Sequence, residues 1–378
     1  MKSAFNKTED VMKKLTIVCA AAVMLLVSCA DKNLSYKVED ADGVRVIINH
    51  NGPADPDLKI DMSEPALTLD LNAVSEADTA HAVQLNNVEL DARGNVYVLD
   101  SRRSEIHKFD PAGKRVKIFG GRGTGPGEFL NVGFFVVWHD TVYVPSPQQL
   151  KIIKFDTDGN FITDKRYSKS SEYPGTFWKT RNFVTGMSYT PVPEEGPGMV
   201  IRNLNLFDDR FNCLRTFRED KFDFQDPVFD LNFVRNPCVS VTSDSMVYLP
   251  RYSENEYAFD VFDFEGNKKM TVKKRYQRIP YTEGELARIQ RQLDRNNLTA
   301  KGRFKNSIVL ITMDKYDRLW VQAALPDAET RRLYDIFKDG VYQNTVEVQA
   351  DSTDIVDFVE DKLVVFDAFN NKMKYYNY

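Results

Sequence analysis

The densest cluster of residues that could do chemistry in this 378-residue chain is "GGRGTGPGEF", residues 120–129, with five glycines, one arginine and one glutamate. A glycine-rich loop can cradle a phosphate when its backbone N–H groups converge and a helix follows, because the helix N-terminus favours an anion. The spacing here argues against that. A dinucleotide fingerprint begun at Gly121 finds Gly123, but its third glycine position is Pro126, and no lysine stands where a P-loop needs one. The run that follows, "FLNVGFFVVWHDTVYV", is rich in Phe and Val and reads as strand, not helix. Between two strands glycine has another use: it permits positive φ and close backbone approach.

Catalytic spacings are equally sparse. No G-x-S-x-G and no H-E-x-x-H occurs, and the four histidines, His50, His81, His107 and His139, are scattered. Zinc needs clustered His, Cys or carboxylate ligands. No third histidine joins His81 and His139, and Asp91, Asp140 and Asp314 fall at strand-end turns, where aspartate is expected structurally. Neither a metal nor a cofactor is expected.

The elements that must position any site begin after a targeting segment. Lys13 and Lys14 precede the apolar run "LTIVCAAAVMLLV" (15–27), which is short for a membrane span and reads as a signal peptide. It ends in "LVSC", Leu26 to Cys29, which resembles a bacterial lipobox. The resemblance implies a signal over 1–28, lipidation (palmitate) on Cys29 as the mature N-terminus, and a tether over 29–43. Two cysteines then remain in the body, Cys213 and Cys238. That is no disulfide framework, and two buried free thiols are favoured over a single bridge. Removing the signal, with four Lys against Glu9 and Asp10, takes the net charge from −5 to −7. An acidic body of mixed charge has no nucleic-acid footprint.

The body repeats. "GNVYVLDSRRSEIHKFDPAGKRVKIFG" (94–120), "DTVYVPSPQQLKIIKFDTDGNFITDKRY" (140–167) and "SMVYLPRYSENEYAFDVFDFEGNKKMTV" (245–272) share a strand, a polar loop, a strand ending near Phe-Asp, a turn and a further strand. A degraded copy lies at 199–217, another at 317–348, and a truncated one at 361–378. The anchor phenylalanines 109, 155, 207 and 262 are 46, 52 and 55 residues apart, and Phe337 follows after an insertion. Four-stranded units at such a period predict an all-β, six-bladed β-propeller over 44–378. The last copy stops early, so an N-terminal strand should close the ring. "PALTLDLN" (65–72) is the natural donor and "VRVII" (44–48) the second choice. The insertion "YTEGELARIQRQLDRNN" (281–297) reads as one amphipathic helix, with a Thr282–Glu285 capping box and Leu286, Ile289 and Leu293 on one face.

The text "KFDPAGK…IFGGRGTGPGEF" resembles the NHL repeat, and with the lipobox the chain is similar to six-bladed propeller lipoproteins of the Bacteroidota. The resemblance implies a monomer of the cell envelope, lipid-anchored at the outer membrane, and is silent on activity. Alternation of loops puts 100–105, 120–129, 169–178 and 250–257 on one face, the top. It offers Arg102, Arg103, Arg122, Tyr173, Trp178, Arg251 and Tyr252 as candidate contacts for an anionic or sugar-like ligand. The expected partner is a small molecule, glycan, peptide or envelope protein. The alternative is a propeller hydrolase or lyase with a metal in its channel.

Overall fold

The structure is a computed structural model. It describes residues 35–50, 52–59, 61–71, 85–180, 183–233, 239–242, 245–326, 330–351, 354–359, 362–367 and 369–378. Cys29, His81, Cys238 and the signal segment lie outside the described residues.

Three strands come first: β1 (Tyr36–Ala41), β2 (Val44–Asn49) and β3 (Leu67–Asp70). Blade one is β4 (Leu85–Leu90), β5 (Val96–Asp100), β6 (Glu105–Phe109) and β7 (Arg115–Gly120). Blade two is β8 (Val136–Trp138), β9 (Thr141–Ser146), β10 (Lys151–Asp156) and β11 (Phe161–Arg166). Blade three is β12 (Thr176–Lys179), β13 (Val184–Pro191), β14 (Met199–Phe207) and β15 (Cys213–Asp223). After β16 (Val228–Asp230), blade four is β17 (Ser240–Val241), β18 (Val247–Arg251), β19 (Tyr257–Phe262) and β20 (Lys268–Lys274). Helix α1 (Glu283–Asp294) and β21 (Thr299–Lys301) precede blade five, which is β22 (Ile308–Met313), β23 (Leu319–Ala323), β24 (Arg331–Lys338) and β25 (Val341–Gln349). Blade six is β26 (Ile355–Val359), β27 (Lys362–Asp367) and β28 (Lys372–Asn377), with β3 as its outer strand.

The chain is therefore an all-β, six-bladed β-propeller. Its ring is closed by an antiparallel pairing of the last strand with an early one, Lys372 opposite Asp70 and Tyr375 opposite Leu67. The second-choice donor has a different place. Strand β2 lies parallel to β20, Arg45 opposite Met270, and β1 pairs antiparallel with β2, so blade four has six strands. Residues 36–41, inside the segment read as a tether, are thus strand. The reason is packing: Ile47 is fully buried with Val272, Phe259 and Phe337.

Short turns repeat the local chemistry. Asp110, Asp156 and Asp208 each accept backbone N–H groups from the residues two and four ahead, closing the hairpin between third and fourth strands. The residue three after the aspartate has positive φ. It is Gly113 and Gly159 in the first two copies and Phe211 (φ 58°) in the degraded third. A phenylalanine held there costs roughly 1–3 kcal/mol of backbone strain. Its ring is buried against Phe177 and Tyr143, which offsets that cost.

Hydrophobic cores fill the wedges between adjacent blades, one cluster per wedge. Cys213 is exposed on β15, because that outer strand turns most of its residues to solvent. The expectation of a buried thiol there is corrected.

Candidate functional site

The first strand of each blade faces the axis, and together they enclose a channel cavity of about 820 Å³. An inner strand has one edge with no ladder partner, so its N–H groups need other acceptors. Side chains of β4 supply them to β8 and the residue before it: Asn87 Oδ1 accepts the Phe135 N–H at 3.0 Å, and Glu89 Oε2 accepts the Val137 N–H at 3.4 Å. Lys179, the last residue of β12, reaches back across β8. Its Nζ donates to Glu89 and, at 3.1 Å, to the Val137 carbonyl. Asp357 on β26 lies near enough to act on Lys179 electrostatically, and its own carboxylate accepts the Phe358 N–H at 2.8 Å.

These three charges form one group on the wall of the cavity, which Asp314, Lys315 and Asp317 also line. Burial pushes the Glu89 and Asp357 carboxyls above their ordinary range, with Lys179 pulling each the other way. Burial also works against the Lys179 ammonium, but the two carboxylates outweigh it and hold its pKa above the usual lysine value. Lys179 is therefore a fixed cationic donor rather than a nucleophile or base. With all three ionised the group carries −1. Phe134, Trp178 and Phe358 line the same cavity and add apolar walls. Among the described residues no group of three or more His, Cys, Asp or Glu is placed to hold a metal ion.

Apart from Trp178, the residues singled out from sequence lie away from this group. Lys179 and Glu89 sit at the bottom ends of their strands, whereas Arg102, Arg103 and Arg122 occupy top-face loops and Arg251 ends β18 on the same face. Arg102 and Arg122 are exposed. The Arg103 guanidinium is 4.0 Å from Asp100, whose carboxylate also accepts the Arg102 and Arg103 backbone N–H groups. Arg251 is committed to a two-bonded pair with Asp260 (2.7 and 2.8 Å) and to Glu256. Tyr252 stacks under Arg218 at 6.0 Å. Tyr173 is 3 % exposed and packs against Tyr167 in the core between blades two and three, so it is not presented to solvent. Of the set, Trp178 alone lines the channel. Sequence reading missed Glu89, Lys179 and Asp357. Their signal was a charged residue on each of three inner strands, "NVELD", "TFWK" and "IVDFV", where an apolar or neutral one would pair as well.

The glycine loop belongs to the top face, joining β7 to β8, and its donors are used internally. The Gly125 N–H donates to Glu128 Oε2 at 2.8 Å, and a Cβ on Gly123 would stand 2.0 Å from that oxygen. Gly120 (φ 92°) lets Phe129 pack beneath it. The loop is a connector that holds its own carboxylate. His107 is buried in β6 beside Glu105 (3.5 Å), away from the axis, and burial pushes its pKa down.

A ring of six blades about an axial channel defines the class of protein, and a family-model comparison agrees with that class. Residues 77–173 match a family model described as a 6-bladed beta-propeller. Among solved structures, the chain is similar to a Bacteroides fragilis NCTC 9343 protein described as exported, at 13 % identity over 85 % of this chain and 88 % of that one, TM-score 0.46. It is also similar to virginiamycin B lyase from Staphylococcus aureus, at 11 % identity over 82 % of this chain and 98 % of that one, TM-score 0.42. The comparison with curated proteins finds no match. None of these likenesses speaks to what this chain binds.

Proposed function

We propose that the protein is a lipid-anchored binding module of the cell envelope that takes a neutral, hydroxyl-rich ligand, a short glycan, into its axial channel. The observation that carries the reading is the Glu89–Lys179–Asp357 group on the wall of the cavity of about 820 Å³. With both carboxyls ionised the group carries −1, which disfavours an anion. An ammonium has three donors, and Glu89 and the Val137 carbonyl take two of them. The third, with the spare lone pairs of two carboxylates, suits hydroxyl groups. Flat apolar walls from Trp178, Phe134 and Phe358 suit the C–H faces of sugar rings. Support for the anchor is the lipobox ending in Cys29.

The test is calorimetric titration of the mature chain with neutral and acidic oligosaccharides. Lys179→Met or Asp357→Asn should weaken the best neutral sugar by about 1–3 kcal/mol. Replacing Arg102, Arg103 and Arg122 together by alanine should leave its affinity unchanged. The opposite pattern, loss with the arginines and none with Lys179, would move the site to the top face and sink the channel reading. For the anchor, Cys29→Ala should release the protein from the membrane fraction or leave its signal uncleaved. A membrane-bound variant with a normally cleaved signal would contradict lipidation.

A further inference from the structure

The anchor has a defined place of arrival on the body. Strand β2 runs parallel to the outer strand of blade four, and β1 runs antiparallel to β2, so Tyr36 stands at the top end of that blade. The His50 N–H donates to the Ser35 carbonyl, and the Arg275 N–H donates to the Asn49 carbonyl. The first described residue is therefore two strands from the start of the insertion between blades four and five. Tyr36 and Tyr276 pack on the same core cluster. Ser35 is six residues after Cys29, a span of at most about 20 Å. A lipid on Cys29 holds this corner of the top face at the bilayer.

The insertion itself is opposite in charge to the chain, although Glu254, outside it, pairs with Arg278 and Asp230 stands opposite Lys301. Residues 275–305 carry eight Lys and Arg against three carboxylates, a net +5, in a chain of net −5. Arg275, Arg278, Arg291, Arg295, Lys301 and Arg303 are exposed. Two of the carboxylates have tasks inside the insertion: Glu285 closes the capping box of α1 and pairs with Lys305, and the Asp294 carboxylate accepts from Gln290. Helix α1 is in turn fixed to the body, since Gln290 bonds Leu298 and Ala300 beside β21, and β21 pairs with β16 from the preceding inter-blade segment. The cations thus sit on a braced platform rather than on a loose loop.

We infer that this insertion is a membrane-docking surface: its exposed arginines and lysines bind anionic lipid headgroups and set the propeller with its top face toward the bilayer and its bottom channel mouth away from it. Each cation near an anionic surface adds to the attraction, and the sum falls with ionic strength. The inference rests on the anchor reading for its biological setting, but the surface can be tested without the lipid. The mature chain carrying Cys29→Ala is sedimented with vesicles of phosphatidylcholine alone or with 30 % phosphatidylglycerol. It should bind the anionic vesicles only, and 0.5 M salt should release it. Arg288→Gln, Arg291→Gln and Arg295→Gln together should weaken that binding by about 100-fold, from about one kcal/mol per cation. Neutralising Lys114, Arg210 and Lys315 on the bottom turns should leave it within about twofold. Equal loss in both triple variants, no binding to anionic vesicles, or binding to a soluble polyanion in preference to vesicles would each overturn the inference. Failure of lipidation is read separately, from the fractionation of Cys29→Ala in cells.

Discussion

Glu128 decides what the glycine loop is. Its carboxylate occupies the position an external anion would take, accepting the Gly125 N–H at 2.8 Å. Nothing in the spacing of the glycines announces that, because the fold-back depends on where the next strand begins. Gly127 has φ 75°, and a Cβ there would stand 3.3 Å from Phe155. Gly127→Val should therefore destabilise the protein by about 1–3 kcal/mol in thermal unfolding. ATP or NAD should leave the melting temperature unchanged, and a nucleotide that raised it would restore the phosphate reading. In the channel, Lys179→Met leaves the half-buried Glu89 and Asp357 carboxylates without their cation. We expect a loss of about 1–3 kcal/mol near pH 7, less than for a fully buried pair because the lysine is partly water-exposed. The sign with pH follows from the raised Glu89 and Asp357 pKa values. Between the unfolded and folded pKa values the folded state binds more protons, so stability falls as pH rises. The variant should therefore lose stability from pH 5 to pH 8 more steeply than the parent. Parallel pH profiles would show that the three charges are not coupled.

At the scale of elements, the repeating text carried most of the architecture. The Asp-x-x-Gly turns, the Phe-Asp strand ends and the capping box at Thr282 are local chemistry, and each stands where its residues implied. The closing strand was legible because the sixth copy visibly lacks one. Strand β1 was not legible: "YKVEDA" is polar and half its residues are charged, and it is strand only because β2 offers an edge. The role of β2 was equally hidden, since joining β20 in parallel is a tertiary choice with no sequence mark. It is testable. Ile47 is fully buried, so Ile47→Ala should cost about 2–5 kcal/mol by chemical denaturation. Asn49 ties blade four to blade five, with its Nδ2 donating to the Gly340 carbonyl at 3.1 Å and its Oδ1 accepting the Tyr342 N–H at 2.8 Å. A near-neutral Ile47→Ala would detach this hairpin from the account. Deleting residues 371–378 removes the whole of β28, the strand that joins β27 to β3, and should leave a chain that folds poorly. An undiminished melting temperature would contradict closure of the ring.

For the whole molecule, the ring explains why the candidate site escaped sequence reading. A channel is assembled from strands far apart in the chain: Glu89, Lys179 and Asp357 come from blades one, three and six. No window of sequence contains two of them. The top-face loops drew notice because their arginines and aromatics cluster locally, yet Tyr173 is core and Arg251 is paired within its own blade. Loop side could be inferred from alternation; burial and pairing could not.

The most direct test is a crystal structure of the mature protein with the tightest-binding neutral oligosaccharide. The account predicts a sugar ring in the axial channel, with a hydroxyl within about 3 Å of Lys179 Nζ and of a Glu89 or Asp357 oxygen. Density for the sugar on the top-face loops beside Arg102, Arg103 and Arg122, with the channel holding none, would contradict it.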